Sequence, residues 1–100
     1  MKLAFHPEAA REFEEAVRFY QQRGPHLARR FNSEVRIAIS KIVTTPKRWK
    51  ILEEDIRRCL VNVFPYSVLY AVEEDYVLIV AVAHGKRQPG YWRSRLSKRP

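Results

Sequence analysis

Three observations predict an α+β fold for this chain. Two stretches of helical periodicity, joined at Gly24-Pro25, occupy residues 7 to 44. Three short apolar segments of strand character follow them. A brief apolar segment, Lys2 to Phe5, precedes them. The expected order is β-α-α-β-β-β, a helix hairpin packed on one face of a small antiparallel sheet, in one domain spanning residues 1–100.

Lys2 to Phe5 is short and reads as a strand. His6-Pro7 ends it, because proline drives the residue before it out of helical geometry and itself suits the first helical position. Ala9, Phe13, Ala16, Val17 and Tyr20 then share one helical face up to about Arg23. Glu8, Glu12, Glu14 and Glu15 crowd the first half of this helix and Arg18 and Arg23 its end, an order that complements the helix dipole. The second helix runs from about His26 to Thr44 with Leu27, Ala28, Phe31, Val35, Ala38, Ile39 and Ile42 on its apolar face. Ile37 points nearly opposite. So short a turn between two amphipathic helices implies an antiparallel hairpin.

Residues 47 to 55 are polar around Trp49, Ile51 and Leu52 and read as a loop. Arg57 to Phe64 alternates, with Cys59, Val61 and Val63 on one face and Arg58, Leu60 and Asn62 on the other. Phe64-Pro65-Tyr66 interrupts the pattern. Ser67 to Glu73 alternates again. Tyr76 to Ala83 is apolar without alternation, as expected of a strand covered on both faces. The surplus Arg and His are expected on the sheet face or edge that the helices leave open, and residues 96–100 as a mobile basic tail.

Composition narrows the function. The chain is 46% hydrophobic, ordinary for a globular domain. No apolar run approaches the roughly 20 residues of a membrane span, so no membrane partner is expected. The opening MKLAFHPEAAREFEE turns acidic and helical where an export signal would stay apolar, which points to the cytoplasm. One cysteine, Cys59, allows neither an internal disulfide nor a thiolate metal cluster. It alternates with Val61 and Val63 and reads as a small buried hydrophobe. No cofactor or metal is expected.

The net charge of +8 favours an anionic partner. Residues 1–55 carry eleven basic and eight acidic residues, and residues 56–100 carry eight and three. After Asp75 there is no acid, and Lys86, Arg87, Arg93, Arg95, Lys98 and Arg99 follow.

The segments HPEAAREFEEAVRFY, FPYSVLY and IVAVAHGKRQPGYWRSR, in this order, resemble the ParE branch of the RelE/ParE toxin superfamily over essentially the whole chain. The Phe-Pro-Tyr turn before a Tyr-bearing strand, with His84, Arg87 and Pro89 after the last strand, carries most of the likeness. The resemblance implies two helices on a small antiparallel sheet. It also implies a growth-arresting toxin of a type II toxin–antitoxin module, one of those labelled plasmid-stabilisation proteins, neutralised by a cognate antitoxin. ParE-like members inhibit DNA gyrase. RelE-like members cleave messenger RNA on the ribosome.

A metal-independent ribonuclease needs a base, an acid and cations around the phosphorane. Arg58 coincides with a basic residue of the RelE-like pattern and Arg87 with its phosphate-binding arginine. His84 has the titration range for proton transfer. Tyr91 lies near the expected C-terminal tyrosine, whose place Arg93 takes. If the chain cuts RNA, Arg58, His84, Arg87 and Tyr91 are its catalytic candidates. Ser67, however, stands where RelE-like chains carry an arginine, and this favours gyrase inhibition without catalysis.

Arg57, Lys86, Arg87, Trp92, Arg93 and Arg95 are the candidates for binding a partner or nucleic acid. Each has a plainer alternative. His84 can cap the core, Arg58 and Arg87 can pair with carboxylates, and Tyr91-Trp92 can fold the tail back onto the sheet. Tyr66 and Tyr70 read as core or turn residues, and His6 and His26 as local caps or solvated.

Overall fold

The computed structural model describes residues 1–98, in the order β1 (Lys2–Phe5), α1 (Pro7–Arg23), α2 (Pro25–Thr44), β2 (Ile51–Glu53), β3 (Ile56–Leu60), β4 (Tyr66–Val72), β5 (Tyr76–His84) and a 3-10 helix (Arg93–Lys98). His6 caps α1 in extended geometry, its Nδ1 accepting from the Glu8 amide at 3.1 Å. Gly24 serves both helices. Its amide donates to Tyr20 O, and its carbonyl accepts from Leu27 and Ala28. Pro25 opens α2, where a missing N–H costs nothing. A single residue thus reverses the chain and lays the two apolar faces together. Ile37, off the stripe, is exposed.

The sheet order is β1-β5-β4-β3-β2. β2 to β5 form an antiparallel meander, but β1 pairs with β5 in parallel, Leu3 beside Val77 and Phe5 beside Ile79. The sheet is therefore mixed rather than wholly antiparallel. Parallel neighbours need a crossover, and the helix hairpin with the meander supplies it.

Two further expectations are corrected. The segment read as a loop contains β2, a three-residue edge strand whose Ile51 and Leu52 are both exposed, so no alternation marked it. β3 stops at Leu60 instead of Phe64. Beyond it Val63 adopts a left-handed φ of 74° and is 66% exposed, off the buried face where alternation placed it. Pro65 then forms a tight turn, the Tyr66 amide donating to Phe64 O at 2.8 Å, as a fixed proline φ allows. The turn packs on the hairpin through Phe31, whose ring centroid lies 4.9 Å from Tyr66 and 5.2 Å from Phe64.

Both sheet faces are covered. Ala9, Ala16, Phe31, Val35, Ile39 and Ile42 of the helices meet Cys59, Val61, Val68, Tyr70, Val77, Ile79 and Val82. On the opposite face Ile56, Leu69, Ala71, Leu78, Val80, Ala81 and Ala83 lie under Trp92, with Tyr91 and Leu96 packed beside it. No helix of the hairpin reaches this face; the C-terminal segment covers it. Of the tail expected at 96–100, Leu96 is packed here, and residues 99 and 100 lie outside the described residues.

A β-branched residue in left-handed backbone costs about 1–2 kcal/mol. Val63→Gly is expected to raise the unfolding free energy by about 1 kcal/mol, little apolar burial being lost at so exposed a site. Urea denaturation checks this, and a lower midpoint would contradict the strained backbone.

Candidate functional site

The site grows from a defect in β5. Leu69 pairs with Ala81 and Tyr70 with Ile79, so Val80 is an extra residue, a β-bulge. On the other edge of β5, strand β1 ends at Phe5, and the His6 amide makes the last backbone bond, to Ile79 O at 2.9 Å. Past that point β5 has polar backbone and no strand partner there. Two side chains take the strand's place. Glu12 Oε1 accepts from the Val82 amide at 3.1 Å, and Arg95 Nη1 donates to Val80 O at 3.0 Å.

The same two side chains pair with each other. Arg95 donates to both oxygens of Glu12, at 2.8 and 3.0 Å. The Tyr91 hydroxyl donates to Glu12 Oε2 at 2.6 Å. Arg87 Nη1 stands 3.8 Å from the same oxygen, and its guanidinium lies 3.8 Å from the Tyr91 ring centroid. Glu12 and Arg95 are 14% and 11% exposed, whereas Arg87 is 53% exposed. Breaking a buried pair by deleting one partner costs about 3–5 kcal/mol, because the other charge stays buried alone.

Electrostatics follow from burial and this carboxylate. Burial, then the hydrogen bond to Glu12, pushes the Tyr91 hydroxyl far above its ordinary value. Burial works against the Arg95 charge, but the hydrogen bond and field of Glu12 outweigh it and its pKa rises. A second bridge ties the segment to β2, Arg93 donating to Glu53 at 2.5 and 2.6 Å. Glu53 is held below the usual carboxylate range by that bond, and Arg93 is raised by it. Gly90 makes the path possible. Its φ is 74°, and an added Cβ would fall 2.2 Å from the Arg93 guanidinium carbon.

Against this geometry, a family model described as the ParE toxin of a type II toxin–antitoxin system, parDE, matches residues 3–89. The chain belongs to the ParE toxin family. Its fold is similar to that of a solved chromosomal ParDE TA system from P. aeruginosa, at a TM-score of 0.72 and 16% identity, covering 84% of this chain and 95% of that one. No curated protein matches at the sequence level.

The residues singled out in the sequence do not gather in one place on this ParE fold. Arg87, Tyr91 and Arg95 converge on Glu12, whereas Arg93 pairs with Glu53 of β2, at the opposite edge of the sheet. Arg57 points to the helix side. It donates to Trp49 O at 2.7 Å and Lys47 O at 3.2 Å, bracing the turn whose Pro46 carbonyl accepts from Tyr70 at 2.5 Å. Arg58, opposite Leu69 in register, is exposed on the other face.

His84 is not with Arg58. It sits opposite Tyr66, its ring edge-on to that residue at 5.0 Å on the helix side of the sheet. Its Nδ1 accepts from the Lys86 amide at 3.0 Å, which places the neutral ring's proton on Nε2. Trp92, 3% exposed, is a core residue and offers no face for stacking on a base. Among the described residues, no group of three or more His, Cys, Asp or Glu could hold a metal. No helix among the described residues is long and apolar enough to cross a membrane.

Glu12 was missed as a site residue because it stands among four glutamates that all suit a helix N-terminal half. The available signal was its phase: with Ala9, Phe13 and Ala16 it lies on the buried stripe, where a carboxylate requires a partner.

Alkaline pH tests the packing of the tyrosines. Burial raises Tyr20, Tyr66 and Tyr91, and takes Tyr70 to about 12. Each folded value exceeds the unfolded one, so the fold favours the neutral hydroxyl. This contribution is complete below pH 10 and is lost as pH climbs from there through the folded values. Spectrophotometric titration should show these four ionising late, with stability falling above pH 10. Ionisation of all tyrosines near pH 10 in the folded protein would contradict the burial.

Proposed function

We propose that this ParE toxin arrests growth by binding DNA gyrase, without cutting nucleic acid, and that a cognate antitoxin neutralises it in the cytoplasm. The observation that carries the reading is the scattering of the nuclease candidates. General acid–base cleavage needs its groups within reach of one phosphate. Arg58 and His84 lie on opposite faces of the sheet, and the Tyr91 proton is committed to Glu12. Ser67 adds no cation on the Arg58 face. What remains is a binding surface: exposed Arg87 and Lys86 beside the packed Tyr91–Trp92 of the C-terminal segment.

The antitoxin reading has its own support. Leu3, Phe5, Phe13, Val17, Ile39 and Val43 line an apolar groove between β1 and the helix hairpin, with Arg18, Arg36 and Glu14 among its polar lining. An acidic segment that folds on binding suits such a groove and a chain of charge +8.

The test is gyrase supercoiling with purified protein, alongside a map of messenger 5′ ends after brief induction without antitoxin. Loss of supercoiling or trapped cleaved DNA at micromolar toxin, with messages intact, is the expected result. Normal supercoiling with new cuts inside codons would replace this reading by a ribosome-dependent ribonuclease.

A further inference from the structure

The charges at Glu12 do not balance, and the excess lies on one residue. Arg95 meets Glu12 with two hydrogen bonds, so that pair is neutral and closed. Tyr91 adds a neutral donor. Arg87 is the surplus cation. At 3.8 Å from Glu12 Oε2 it is attracted but makes no hydrogen bond, and among the described residues its side chain donates none elsewhere.

We propose that Glu12 is a positioning residue for Arg87: through the Tyr91 ring it anchors, it fixes the Arg87 guanidinium toward solvent as the cation the toxin presents to its target. Three contacts make the chain of cause. The Tyr91 hydroxyl is pinned on Glu12 at 2.6 Å, which sets the ring. The guanidinium stacks on that ring at 3.8 Å, the arrangement in which an aromatic face holds a cation. The Arg87 amide donates to His84 O at 3.1 Å, which fixes its backbone to the end of β5.

A guanidinium held this way keeps its planar fork of donors free and loses little freedom when an anionic group docks on it. Arg95 does not suit the role, because it is only 11% exposed and is held by three hydrogen bonds to Glu12 and Val80 O. This inference rests on the toxin reading but not on the choice of target.

The experiment scores growth arrest on induction without antitoxin, at matched amounts of folded protein, for wild type, Glu12→Gln, Arg87→Ala and the double variant. Glu12→Gln is expected to weaken arrest by about tenfold or more, as misplacing a functional group by an ångström does. The double variant is expected to be no weaker than Arg87→Ala alone, because Glu12 acts through Arg87. Val35→Ala, a core truncation in α2, is the structural comparator. It should lower the melting temperature yet keep wild-type arrest per folded molecule.

Wild-type arrest by Glu12→Gln overturns the proposal. So does a double variant clearly weaker than Arg87→Ala, which would give Glu12 an effect independent of that arginine. If Glu12→Gln does not accumulate folded, Tyr91→Leu carries the test. It removes the ring beneath Arg87 and leaves the Glu12–Arg95 pair, and arrest at wild-type strength overturns the proposal. A wild type that arrests nothing overturns this and the toxin reading together. Arrest with gyrase untouched overturns only the gyrase reading.

Discussion

One carboxylate, that of Glu12, sits where three parts of the chain meet: the first helix, the bulged strand β5 and the C-terminal segment. Strand β1 is only four residues long and leaves that edge of β5 without a strand partner beyond Ile79. An unpaired edge there would leave buried amide and carbonyl groups unsatisfied, at about 1–3 kcal/mol each. Glu12 and Arg95 supply the missing acceptor and donor. Their mutual pairing then makes each tolerable in a nearly buried position. Among the described residues, no buried side-chain nitrogen or oxygen lacks a partner.

That pairing also explains how so small a chain covers both faces of its sheet. The helix hairpin can shield only one. Arg95 draws the 3-10 helix onto β5, and Trp92 and Leu96 come down with it over Leu78 and Val80. Arg93, bound to Glu53, fastens the same segment at the far edge of the sheet. The second bridge is exposed and contributes modestly. The first is shielded, and deleting one partner would leave the other charge poorly solvated, so its loss costs more than that of the exposed bridge. Stability and the proposed presentation of Arg87 therefore share a residue, since the same carboxylate that closes the sheet stands 3.8 Å from Arg87.

Elements defined by local pattern were legible in the sequence, and elements defined by distant pairing were not. Both helices show in their stripes, β4 in an alternating pattern and β5 in its apolar run. The parallel register of β1 is set by contacts with residues more than seventy positions away, which periodicity does not encode. β2 exists only because β3 pairs with it. The basic run after Asp75 held Lys86, Arg87, Arg93, Arg95, Lys98 and Arg99 together by sequence alone; in the fold Arg87 and Arg95 meet at Glu12, and Arg93 pairs with Glu53 at the other edge of the sheet. The separation of Arg58 from His84 required the register, because one residue of offset decides which face a side chain takes. Glu12 was hidden by its neighbours Glu8, Glu14 and Glu15, whose plainer role it also fits.

Native-state hydrogen exchange at the Val82 amide tests the central claim most directly, because that proton is held by a side chain and not by a strand. In the wild type it should exchange only through unfolding of the whole domain, as slowly as amides inside the meander. In Glu12→Ala it and the amides of residues 93–96 should exchange faster by more than the loss of global stability explains. Rapid exchange at Val82 in the wild type, or an unchanged margin in the variant, would contradict the account.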